Sequence, residues 1–138
     1  SGHGGIRRVR NILQGTEIAV VDDDPAVLKA LSRLLRSRAF RAKTYESGQD
    51  FLAALPHGIP DCLVVDLQMP VMNGLELHQL LVGKGILIPT IMITAHSDSA
   101  LRVRYEETGL VAFLQKPLQD SFFFAAISKA IGAPGGSG

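Results

Sequence analysis

Five strand-like runs alternate with segments of helical period along this chain, and that rhythm constrains its fold more than any single residue does. The runs are EIAVV (17–21), RAKTY (41–45), DCLVVDL (61–67), PTIMIT (89–94) and VAFLQ (111–115), of which RAKTY is the least apolar. After the first, DPAVLKALSRLLRSR places Val27, Leu28, Leu31, Leu34 and Leu35 on one helical face. SGQDFLAAL reads as a short helix opened by Ser47, with Asp50 three residues on to complete a capping box. NGLELHQLLVGKG reads as a helix that turns Leu77, Leu80 and Leu81 inward and stops at glycine. SALRVRYEETG (99–109) is a fourth helical segment without a clear apolar face, and SFFFAAISKAIG is a fifth. In that last segment Phe123 and Ile127 have core spacing; Phe122 falls off their line, yet packing is still its favoured reading.

Short, nearly all-apolar strands joined by helices imply a parallel sheet covered on both faces, an α/β protein in three layers. Right-handed crossovers leave few arrangements, and five βα units favour a flavodoxin-like (βα)5 sandwich with strand order 2-1-3-4-5. The 138 residues suit one domain, expected over 16–131, between a flexible basic tail at 1–15 and a tail or linker at 132–138. Arg7, Arg8 and Arg10 read as a solvated tail, and a net charge of +1 selects no polyanionic partner. Cys62 reads as a small buried hydrophobe, and four scattered histidines offer no zinc spacing. No apolar run approaches the roughly 18 residues of a membrane span and no signal peptide is visible, so a cytoplasmic domain with no membrane partner is expected.

In the 2-1-3-4-5 order, the crevice at the carboxyl ends of strands 1 and 3 is where sites form. VVDDDP ends strand 1 and DCLVVDL ends strand 3, so Asp22, Asp23 and Asp66 are expected to converge there. Three carboxylates suit a hard, oxygen-seeking cation, most naturally Mg²⁺, which also removes their mutual repulsion. Asp24 has a different reading: an acid followed by proline is a helix N-cap with Pro25 in the first turn. Thr94 ends strand 4 and Lys116 follows strand 5, bringing a hydroxyl and an ammonium to the same edge. A cation, an ammonium and a hydroxyl around one carboxylate form an electrostatic clamp for a phosphoryl group.

The motifs VVDDDP, VVDLQMPVMNG, MITAHSD and FLQKPL stand in the order and spacing of response-regulator receiver (CheY-like) domains of two-component signalling. The chain resembles that family over roughly 16–131, and its wording is most like receivers of the FixJ and NarL kind. Such chains usually continue into a helix-turn-helix DNA-binding domain, so DNA would be reached only through an output domain outside these residues. The resemblance implies that Asp66 is the phosphoacceptor, Asp23 a direct Mg²⁺ ligand and Asp22 a ligand through water. It implies that the backbone carbonyl of Gln68 completes the metal site. Thr94 would hydrogen-bond the phosphoryl oxygen, Lys116 would pair with it, and Phe113 would be an aromatic switch. The Lys116–Pro117 bond would be cis. The implied partner is a sensor histidine kinase or phosphotransfer protein, with homodimerisation through the fourth helix, fifth strand and fifth helix. The domain would catalyse only its own phosphorylation and dephosphorylation, and its output would be conformational.

Two features cut against a simple transfer of that family. Arg102, Arg104, Tyr105 and Thr108 replace the small apolar residues usual in the fourth helix, which motivates a pseudo-receiver that no longer switches. An Asp-x-Asp pair within DDD motivates a haloacid-dehalogenase-like phosphohydrolase with Asp22 as nucleophile, although Ala26 stands where that family wants Thr or Val. His96, just past Thr94, reads either as a residue tuning water access or as plain surface.

Overall fold

The computed structural model describes residues 15–95 and 109–132. In chain order the elements are β1 (Glu17–Val21), α1 (Pro25–Ser37), β2 (Arg41–Tyr45), α2 (Gly48–Ala54), β3 (Cys62–Asp66), α3 (Gly74–Gly83), β4 (Thr90–Thr94), β5 (Ala112–Gln115) and α4 (Asp120–Ala130). A single 3₁₀ turn, Leu55–His57, follows α2. The strands form one parallel sheet in the order β2-β1-β3-β4-β5, as the alternating pattern required. The fourth helical segment expected from the sequence, with His96, Arg102, Arg104, Tyr105 and Thr108, lies outside the described residues.

Strand residues alternate between two cores. Ile18, Val20, Cys62, Val64, Ile91 and Ile93 pack on one face with Leu28, Leu31 and Leu35 of α1 and Phe123, Phe124 and Ile127 of α4. Ala19, Val21, Leu63, Val65 and Met92 pack on the other with Phe51 of α2 and Leu77 and Leu81 of α3. The central strands β1, β3 and β4 are buried along almost their whole length because helices cover both faces. The edge strand β2 is mostly exposed and carries Arg41 and Lys43, both 3.5 Å from Glu17 of β1. Charges of this kind blunt an open sheet edge. Cys62 is fully buried, and desolvation, followed by the nearby charge of Asp61, pushes its thiol up to about 12.

Two side chains depart from the sequence reading. Leu80 is 37% exposed, and His78 is buried in its place beside Leu77 and Leu81. With apolar residues at 75, 77, 80, 81 and 82, α3 has no single stripe to read, and the sheet selects the face. Phe122 is 61% exposed, whereas Phe123 and Phe124 are buried, because three consecutive aromatics cannot share one helix face. The caps also sort themselves out. Ser47 Oγ accepts the Asp50 amide at 3.0 Å, while the reciprocal box forms at α3. There Glu76 N–H donates to Asn73 Oδ1 at 2.8 Å and Asn73 N–H to Glu76 Oε1 at 2.9 Å.

Candidate functional site

Register sets the crevice. Val21 of β1 pairs with Val65 of β3, so Asp22 follows one strand beside the point where Asp66 ends the other. Asp66 in turn pairs with Ile93, which brings Thr94 alongside, and Thr94 pairs with Gln115, the residue before Lys116. Four neighbouring parallel strands thus deliver their last residues to one edge. Asp22, Asp23 and Asp66 each offer an oxygen, and these oxygens all lie within 4.8 Å of one another. Asp22 and Asp66 are buried and Asp23 is exposed, so the cluster opens to solvent on the Asp23 side.

Asp24 takes no part in it. Its carboxylate accepts the Ala26 amide at 2.9 Å and caps α1 ahead of Pro25, as its position before proline implied. The Asp24 amide donates to Asp22 Oδ1 at 2.9 Å, so the cap and the crevice are joined through one backbone group.

Lys116 lies closer to Asp22 than to Asp66. Its Nζ donates to Asp22 Oδ2 at 3.0 Å and stands 3.6 Å from Asp66 Oδ1. Burial opposes the lysine's charge, but the hydrogen bond and charge of Asp22 together with Asp66 outweigh it and raise its pKa. Asp66 is 4% exposed, and its Oδ1 is the one buried side-chain oxygen among the described residues with no hydrogen-bond partner. Desolvation first, then the charge of Asp22, pushes the Asp66 carboxyl up to about 6, against the pull of Lys116 and of the Gln68 amide.

The far wall belongs to β4. Gln68 Nε2 donates to Thr94 Oγ1 at 2.8 Å, and Gln68 Oε1 accepts the Thr94 hydroxyl at 3.0 Å and the Ala95 amide at 3.2 Å. Phe113 is half-buried and packs on the core face shared with Met92. The Lys116–Pro117 bond is cis. Gly74 closes the loop over β3: its amide donates to the Leu67 carbonyl at 3.0 Å. A Cβ at Gly74 would stand 2.6 Å from both the Asp66 carbonyl oxygen and Met92 Sδ, so only glycine fits there.

The family described as "Response regulator receiver domain" matches residues 18–128. The chain belongs to that family. Among curated relatives, the response regulator protein TmoT of Ectopseudomonas mendocina is 37% identical over 86% of this chain and 54% of its own length. The transcriptional regulatory protein FixJ of Rhizobium meliloti is 38% identical over 82% of this chain and 55% of its own. Among solved structures, FixJ-N superposes with a TM-score of 0.79 at 37% identity, covering 86% of this chain and 95% of that one. The chain thus spans about half the length of these curated relatives and nearly all of the FixJ-N structure. It is the receiver domain of a response regulator, the class of signalling domain served by histidine kinases and phosphotransfer proteins.

Within this receiver, the fold gathers Asp22, Asp23, Asp66, Gln68, Thr94 and Lys116 at one edge, as the motif spacing led one to expect. Two contacts were not foreseen. Lys116, expected to pair with a phosphoryl group, lies against Asp22 and Asp66, and Gln68, expected to act through its backbone carbonyl, also sets its side chain on Thr94. The signal for the second was in view, an amide side chain two residues beyond Asp66. Spacing alone says nothing about where that side chain turns. Receivers generally use Mg²⁺ at this acidic pocket. The donor set fits such an ion: three carboxylates within reach of one another and a buried oxygen without a partner. No helix of the described residues is long and apolar enough to cross a membrane.

Proposed function

We propose that Asp66 is the phosphoacceptor of this receiver, taking a phosphoryl group from the phosphohistidine of a sensor kinase or phosphotransfer protein. The observation that carries the reading is Asp66 Oδ1. It is buried, has no hydrogen-bond partner, and lies 3.6 Å from the Lys116 ammonium. An oxygen left with a free lone pair beside a fixed cation is a nucleophile held ready for in-line attack.

Asp22, Asp23, Asp66 and the Gln68 backbone carbonyl would hold Mg²⁺, which when bound neutralises charge on the transferring group. The Asp66 carboxylate forms a bond to phosphorus as the phosphorus–nitrogen bond to the donor imidazole breaks, and the imidazole nitrogen takes a proton from solvent. Lys116 pairs with a phosphoryl oxygen and Thr94 donates its hydroxyl to another. The acyl phosphate is then hydrolysed by water, which regenerates the carboxylate. An apolar trough lined by Val27, Ala30, Leu34 and Leu118 opens beside Lys116 and suits a protein donor rather than a small metabolite.

The output is conformational. Movement of Thr94 toward the phosphoryl group would draw Phe113 inward and alter the face that carries β5 and α4. That face is proposed to support homodimerisation and, through an output domain outside these residues, transcription in the cytoplasm. The receiver unit is proposed to run over 16–131. Asp22 is a poor nucleophile for the phosphohydrolase alternative, because it is fully buried and both its oxygens already accept hydrogen bonds.

The test is to incubate the protein with acetyl phosphate and Mg²⁺, then with a phosphohistidine donor, and to weigh it intact. The expected result is one phosphoryl group per chain, lost in Asp66→Asn. Multiple turnover of a phosphate ester that depends on Asp22 and not on Asp66 would overturn the reading.

A further inference from the structure

We propose that the Gln68 side chain is a latch on Thr94, a positioning residue that holds the unphosphorylated arrangement and sets how readily phosphorylation at Asp66 is transmitted. The inference rests on the reading of Asp66 as phosphoacceptor, and it adds a residue whose side chain that reading does not use. Gln68 lies two residues past Asp66, the last residue of β3, and its backbone amide favours the ionised form of the Asp66 carboxyl. Its side chain crosses to the end of β4. The one residue therefore links the loop that carries the acceptor to the threonine that must respond to it.

Three hydrogen bonds define the latch. The Ala95 amide donates to Gln68 Oε1 at 3.2 Å, which fixes the orientation of the carboxamide, since a reversed group would point its NH₂ at another donor. With that orientation set, Nε2 donates to Thr94 Oγ1 at 2.8 Å and Oε1 accepts the Thr94 proton at 3.0 Å. A hydroxyl has one proton. While Thr94 gives it to Gln68, it cannot give it to a phosphoryl oxygen on Asp66. Phosphorylation must therefore exchange one partner for the other.

The first measurement uses the unmodified protein. Amide hydrogen exchange at Ala95, read by NMR, should speed up by about 5-fold in Gln68→Ala, the equivalent of about one net hydrogen bond. Gln68→Glu, which keeps an acceptor for Ala95, should restore slow exchange. The second measurement titrates beryllofluoride, a phosphoryl mimic, at saturating Mg²⁺. Gln68→Ala should bind it about 5-fold more tightly for the same reason, and the gain should fall below about 2-fold in a Thr94→Val background. Unchanged Ala95 exchange in Gln68→Ala overturns the latch, and so does an equal gain in affinity with and without Thr94. Should the wild-type protein bind no beryllofluoride and acquire no phosphoryl mass, the reading of Asp66 falls, and Ala95 exchange alone decides the latch.

Discussion

Asp22 and Asp66 sit in the same crevice at the ends of neighbouring strands, both buried, yet they are provided for in opposite ways. Asp22 has a hydrogen-bond partner for each oxygen, the Asp24 amide of the β1–α1 loop at 2.9 Å and the Lys116 ammonium just past β5 at 3.0 Å. Asp66 Oδ1 has no hydrogen bond, only the Lys116 ammonium at 3.6 Å, and the acid's pKa rises to about 6 through desolvation and then through Asp22. A buried carboxylate with a hydrogen bond at each oxygen is held in place and unsuited to attack. One left short carries a standing energetic penalty that a cation or a covalent phosphoryl group can relieve. The pair shows how a fold can hold two identical side chains within 4.8 Å of each other and leave only one of them poised to react.

The largest way to break this contrast is to strip Asp22 of its cation. Lys116→Ala leaves Asp22 Oδ2 buried without its partner and should lower unfolding stability by about 2 kcal/mol in Mg²⁺-free buffer, a value reduced because Lys116 is partly exposed. Urea titration measures it, and added Mg²⁺ should narrow the deficit. Gly74→Ala attacks the Asp66 side instead. Its Cβ meets a backbone oxygen that has little room to retreat, so a loss of about 1 to 3 kcal/mol is expected in the same titration.

Removing the penalty at Asp66 should do the reverse. A carboxyl whose pKa is raised from 3.8 to about 6 binds its proton more tightly in the folded protein. Stability therefore falls as pH rises through that window and stays reduced above it. Asp66→Asn escapes this and should be more stable by about 1 to 2 kcal/mol at pH 7.5 without Mg²⁺, allowing for solvent screening at the open crevice. The gain should vanish as pH is lowered from 6 to 4. The smallest effect belongs to the third acid: Asp24→Ala should lose about 1 kcal/mol, the value of a helix cap, and leave Mg²⁺ affinity nearly unaltered by calorimetry.

Much of this was legible in the residues. Short apolar runs alternating with helical segments imply the parallel sheet, and chain order implies the crevice, so the convergence of Asp22, Asp23 and Asp66 follows from backbone topology. Asp24 before Pro25 could be read as a cap because that pairing is local. Where several side chains compete for one place, the sequence is silent. His78 displaces Leu80 because the sheet surface selects among crowded apolar positions, and Phe122 is turned out once Phe123 and Phe124 have taken the core. The choice of Asp22 by Lys116, and of Thr94 by Gln68, depends on side-chain directions that spacing does not encode. The fourth helical segment lies outside the described residues.

The central claim is that the acid with an oxygen left without a hydrogen bond, not the one hydrogen-bonded at both oxygens, is the acceptor. Borohydride reduces an aspartyl phosphate to homoserine and so marks its position. After phosphorylation with Mg²⁺ and borohydride trapping, peptide sequencing by mass spectrometry should find homoserine at residue 66 alone, and none when Mg²⁺ is chelated. Homoserine at residue 22 or 23, or at no position after treatment with a phosphohistidine donor, would contradict the account.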